Sequence, residues 1–264
     1  MQSRALKLRP MDVGDLLDET FALYRQNFSL FAGIAAVLII PETIITAIVT
    51  GVFTASGPAA GSVLLFIFGL LLGYLFQELT TAALALAISA RYLDRAITVG
   101  EAYASVGVST FVTLIVALII EGVLVVVGFF LLVIPGIYLA VSFVFVAQTV
   151  VLERTGAWQG LQRSRELVRG SWWRVFFIWL LVSVLVGILT AIVQGVFHAI
   201  VALAGASGVT TSVISSIASG ATSIFLLPVQ LGALTLLYYD LRIRKEGFDI
   251  ELAAMSLEGN PRSI

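Results

Sequence analysis

Three acids stand inside otherwise apolar runs: Glu42, Glu78 and Glu121. On the helices those runs predict, each lies roughly 18–21 Å from the charged end of its helix, at about 1.5 Å of rise per residue. Three carboxylates therefore share one depth, where the sequence supplies no Lys or Arg. A carboxyl group removed from water without a basic partner is favoured as the neutral acid unless it holds a cation or water. One reading is a proton- or cation-binding site between helices, with Gln77 and Gln230 as neutral partners. The other needs no ligand, because neutral acids can bond to backbone or Ser/Thr across a bundle, at about 0.6 kcal/mol per pair.

A second set of residues is basic and aromatic: Arg163, Arg165, Arg169 and Arg174 with Trp158, Trp172 and Trp173, and Arg25 in an earlier, similar stretch. Near a membrane such a surface selects anionic lipid at about 1 kcal/mol per charge, or it simply anchors spans on the positive side. Other chemistry is thinly represented. His198 is the single histidine and falls near the far interface, where it reads as a polar rim residue rather than a metal ligand. There is no cysteine, and no Gly-rich phosphate loop, Ser-His-Asp set or zinc signature. The sequence thus assigns no catalytic residue, metal or cofactor, and nothing in it points to nucleic acid. Asp94, Glu153 and Asp240 are each followed by Arg within two residues, which predicts local pairing at the headgroup boundary. Ser212, Ser216 and Gly220 form a small-residue face with Ser215, Ser219 and Ser223 beside it, which suits close helix packing or, alternatively, a polar lining.

The elements that position these groups follow from composition. Of 264 residues 59% are hydrophobic and 12% charged, with mean hydropathy +1.06, whereas a soluble domain carries about 25% charged residues. The solvent for this surface is lipid, and the fold class is an all-α integral membrane protein of about six transmembrane helices in one polytopic domain, 1–264. Four acids follow the first basic residues before any apolar run, so the N-terminus does not read as a cleaved signal peptide. Residues 11–27 have apolar positions at helical spacing and read as an interfacial helix. Spans are expected at about 28–53, kinked by Pro41, at 61–90, at 172–204 and at 211–239. The block 109–152 is twice the ~20 residues one span needs, so it holds two helices, with Pro135-Gly136 as the reversal. The tail 246–264 is polar.

All fifteen Lys and Arg then fall in the N-terminus, the two arms after the second and fourth spans, and the C-terminus. The positive-inside rule places both termini and all arms in the cytoplasm. Without a gap, residues 12–28 align on 156–172 and share Leu-x-Arg-x-(Asn/Ser)-aromatic: an arginine at headgroup level, a cap, then an aromatic anchor. The exits from the hairpins also agree, at Tyr92-Leu93-Asp94-Arg95, Leu152-Glu153-Arg154 and Tyr239-Asp240-Leu241-Arg242. Three arm-plus-hairpin repeats are expected, at about 11–95, 96–154 and 155–245.

The stretches MDVGDLLDETFALYRQNF, ERTGAWQGLQRSRELVRGSWWRVF and YYDLRIRKEGFDIE resemble the bacterial membrane domain found fused to glycerophosphoryl diester phosphodiesterases and also as a standalone protein. The enzymatic half of that family is a separate barrel using histidines and metal-binding acids. With one histidine and an end at Ile264, no catalytic residue is carried over. The resemblance implies a protein of the bacterial cytoplasmic membrane, associated with lipid. The expected function is a non-enzymatic lipid-associated scaffold or lipid-handling module, with membrane lipids as partners. A small proton- or cation-linked transporter using the three glutamates is the alternative. An intramembrane lipid enzyme lacks a visible nucleophile or metal centre.

Overall fold

The computed structural model describes residues 9–248 and 250. Arg4, Lys7 and, from residue 251 on, the expected polar tail lie outside the described residues. The described residues form helices α1 (Val13–Gln26), α2 (Phe28–Ser56), α3 (Ala60–Tyr92), α4 (Val99–Val106), α5 (Val108–Leu131), α6 (Val133–Ser142), α7 (Val146–Leu152), α8 (Ala157–Val168), α9 (Trp172–Leu203) and α10 (Val209–Glu246). Six segments are long and apolar enough to cross a membrane: α2, α3, α5, the pair α6 and α7 taken together, α9 and α10. The expected all-α membrane architecture is the one observed.

The long helices change character along their length. In α3, Leu64, Phe68, Leu70 and Leu71 are exposed, as lipid-facing residues must be, whereas every residue from Thr80 to Ala90 except Leu86 is buried. In α10 every residue from Leu231 to Leu241 except Leu234 is buried. Those enclosed halves are wrapped at the charged end by α1, α4, α7 and α8. The arms are therefore packed parts of the bundle. Helix α1 turns Leu16, Thr20 and Leu23 inward, leaving Val13 and Phe21 exposed. Its contacts follow α10 from Asp240 back to Phe225: the Met11 N–H donates to Asp240, Thr20 meets Gly232, and the Tyr24 hydroxyl donates to the Phe225 carbonyl. Helix α4 starts on a capping box, in which Thr98 and Glu101 satisfy each other's backbone N–H.

Three boundaries differ from expectation. The reversal between α5 and α6 falls at Leu132, and Pro135 sits in the first turn of α6, where its missing N–H costs nothing. Close approach at this hairpin needs glycine twice: a Cβ on Gly128 would stand 3.1 Å from the Gly136 Cα, and one on Gly136 would collide with the Phe129 ring. The fourth span is interrupted between Ser142 and Val146. The last helix runs on to Glu246, well past the expected exit near Tyr239, because the charged residues there bond inside the protein. Through Pro41, α2 remains a single helix.

Candidate functional site

The charged end is built around Asp240, which is fully buried. Its carboxylate accepts from the Met11 N–H at 2.7 Å, from Arg174 at 3.0 Å and from Arg244 at 3.0 Å. Both arginines also donate to the Met11 carbonyl. One acid thereby ties the start of α1, the start of α9 and the end of α10. A second knot lies beside it. Arg163 of α8 pairs with Glu153 at 2.8 Å and with Glu246 at 2.6 Å, and the Tyr238 hydroxyl donates to Glu153 at 2.6 Å. The hydrogen bond to Glu246, then that to Glu153, pushes the Arg163 guanidinium further above the ordinary arginine range, although burial opposes this. Arg242 bonds Glu246 and lies 4.0 Å from the centre of the Phe248 ring. Two of the acids expected to pair with the arginine next in sequence have other partners: Glu153 reaches Arg163, and Asp240 reaches Arg174 as well as its i+4 neighbour Arg244.

These contacts divide the basic and aromatic candidates in two. Arg163 and Arg174 serve the ion pairs, and Trp172 donates to the Tyr138 carbonyl and stacks on the Tyr138 ring. Arg25, Arg165 and Arg169 are exposed, as are Trp158 and Trp173, at 54% and 66%. Buried Ser164 escaped attention in the sequence. It bridges the interruption of the fourth span, accepting from the Phe145 N–H at 3.2 Å and donating to the Ser142 carbonyl at 3.0 Å. A small polar residue at i+3 from Leu161 on the inner face of an amphipathic helix was the available signal.

Within the membrane-spanning part the three glutamates separate. Glu42 and Gln77 line a crevice of about 430 Å³ between α2, α3 and α10, and Gln230 is not part of that lining. Glu78 of α3 and Glu121 of α5 lie near each other, beside Tyr74. Among the described residues no group of three potential metal ligands assembles. The serine face of α10 both packs and lines. A Cβ on Gly220 would collide with Thr43 of α2, so the backbones approach closely there. Gln194 of α9 donates to Ser219 at 2.9 Å. His198 makes contacts of 2.7 Å with the Gln194 carbonyl through Nδ1 and 3.3 Å with Ser215 through Nε2. A carbonyl only accepts, so Nδ1 carries the proton and Nε2 accepts from Ser215. That is the polar rim role expected of a lone histidine.

A family model described as a domain of unknown function, DUF7847, matches residues 11–241. No curated protein and no solved structure matches the chain.

Proposed function

Since the chain belongs to the DUF7847 family, whose description assigns no activity, we propose a function from the geometry: a lipid-associated membrane scaffold whose charged end rests on anionic headgroups. The observation that carries this reading is the division of the arginines. Arg163, Arg174, Arg242 and Arg244 are paired with acids inside the protein, while Arg25, Arg165 and Arg169 are exposed together with Trp158 and Trp173. Guanidinium groups beside amphipathic rings suit the phosphate and glycerol level of a bilayer. The ion-paired knots hold that surface on a packed base. In keeping with the positive-inside rule, this end and both termini face the cytoplasm of a bacterial cell. The common ending of α3 and α7 on non-glycine residues of positive φ, Asp94 at 57° and Arg154 at 53°, fits an origin by repetition of an arm-plus-hairpin unit.

The test is lipid retention by the purified protein, read by native mass spectrometry in mixed phosphatidylglycerol and phosphatidylcholine. The wild type is expected to retain phosphatidylglycerol preferentially, with the preference weakening as salt rises. Replacing Arg25, Arg165 and Arg169 together with Gln should abolish the preference, at about 1 kcal/mol or fivefold per charge. An unchanged preference in that triple variant contradicts the proposal.

A further inference from the structure

We propose that the crevice between α2, α3 and α10 is a binding site for a primary ammonium group. Its chemistry is one-sided. Glu42 contributes a carboxyl group, and no Lys, Arg or His lines the space. Several of the hydroxyls around it have already used their protons. Thr43 donates to the Ile39 carbonyl at 2.6 Å, Thr50 to Thr46 at 2.5 Å, Ser212 to Gly208 at 3.2 Å and Ser216 to Ser212 at 3.0 Å. A hydroxyl has one proton and two lone pairs, so these four present lone pairs to the crevice. One carboxyl group among these lone pairs, with no cationic side chain and the Gln77 amide as the one N–H donor group, selects a positively charged ligand rich in N–H donors and disfavours phosphate, carboxylate or sulfate.

Size and position narrow the ligand further. The crevice holds about 430 Å³, against about 30 Å³ for one water in the liquid, so it admits an aminoalkyl chain as well as its ammonium head. At the inner end α3 packs against Glu42, since a Cβ on Gly73 would stand 3.4 Å from a Glu42 carboxyl oxygen. The outer end lies at Thr211 and Ser212, in the first turn of α10 and opposite the charged end. Ser219 of the lining is itself exposed, so the crevice opens onto the outer surface of the bundle. The shared chemistry fits either the amine headgroup of a phospholipid or a free alkylamine. The basic surface proposed for anionic lipid is at the other end of the molecule, so neither proposal depends on the other.

The experiment uses the full chain in nanodiscs of phosphatidylcholine, with four probes: methylammonium, tetramethylammonium, sodium and added phosphatidylethanolamine. Thermal stability reports the soluble amines, and native mass spectrometry reports retained lipid. Protection by methylammonium but not by tetramethylammonium, which has no N–H, supports a free amine. Preferential retention of phosphatidylethanolamine without methylammonium protection supports the headgroup. In either case the isosteric Glu42→Gln should weaken binding by at least about tenfold, the effect of losing one charge-assisted hydrogen bond. Thr50→Val provides a second variant that removes an acceptor without changing shape, should Glu42→Gln fold poorly. Equal protection by tetramethylammonium or by sodium, no response to any amine, or unchanged binding in folded Glu42→Gln would overturn the proposal.

Discussion

Asp240 joins three segments that are far apart in sequence, and its burial means that every partner counts. Removing one cation from a buried pair leaves a carboxylate short of compensation, which costs several kcal/mol where an exposed pair is worth little. Arg174→Gln is therefore expected to destabilise the protein by about 3 kcal/mol, less any rescue by Arg244. Arg169→Gln, on the exposed surface, should change stability by no more than about 0.5 kcal/mol. Thermal unfolding of the two variants in the same detergent checks the contrast, and equal midpoints would contradict the assignment of Arg174 to the interior. The arginines were legible in the sequence as a basic surface but not as two populations. Arg163 and Arg165 are two positions apart on α8, so they point in different directions, and only the location of Glu153 and Glu246 determines which is paired. That location depends on α10 continuing past Tyr239, which hydropathy hides because its last turns are charged.

The interrupted fourth span carries the clearest lesson among the elements. Its two halves read as one apolar run, since Phe143, Val144 and Phe145 are as hydrophobic as their neighbours. Backbone groups freed inside an apolar bundle must find partners, and here one serine of α8 serves both sides of the break. Ser164→Ala should cost about 1–3 kcal/mol, the penalty for leaving buried backbone groups unpaired. Hydrogen exchange at Phe145 should accelerate at the same time. A variant as stable as the wild type, with unchanged exchange, would show that the break is satisfied another way. The partner of this break is about twenty positions away in a different amphipathic helix, and so no local pattern announces it. Other elements were readable: α2, α3, α5 and α9 lie within about three residues of where hydropathy puts them, and the hairpin glycines explain why the reversal falls at Leu132 rather than at Pro135.

At the scale of the molecule, six spans gather their charged ends on one side, where α1, α4, α7 and α8 pack around the enclosed halves of α3 and α10. The segregation of charge foretold that one-sidedness, whereas the enclosure of the ends was not foretold, because residues such as Thr80 to Ala90 look like any other span. The separation of Glu42 from Glu78 and Glu121 was equally hidden, since depth along a helix was readable and the face around it was not. The lipid surface and the amine crevice both require that the charged ends share one face of the membrane and that the α2–α3, α5–α6 and α9–α10 turns share the other. The chain has no cysteine, so single cysteines report position without background. The most direct measurement is labelling of intact cells with a membrane-impermeant maleimide at Ser56, Leu132 and Ser207 on one side and at Ala96, Ser105 and Gln162 on the other. The first three should react in intact cells and the second three only after permeabilisation; reaction of Leu132→Cys with the second group, or of Gln162→Cys with the first, would contradict the architecture on which both proposals rest.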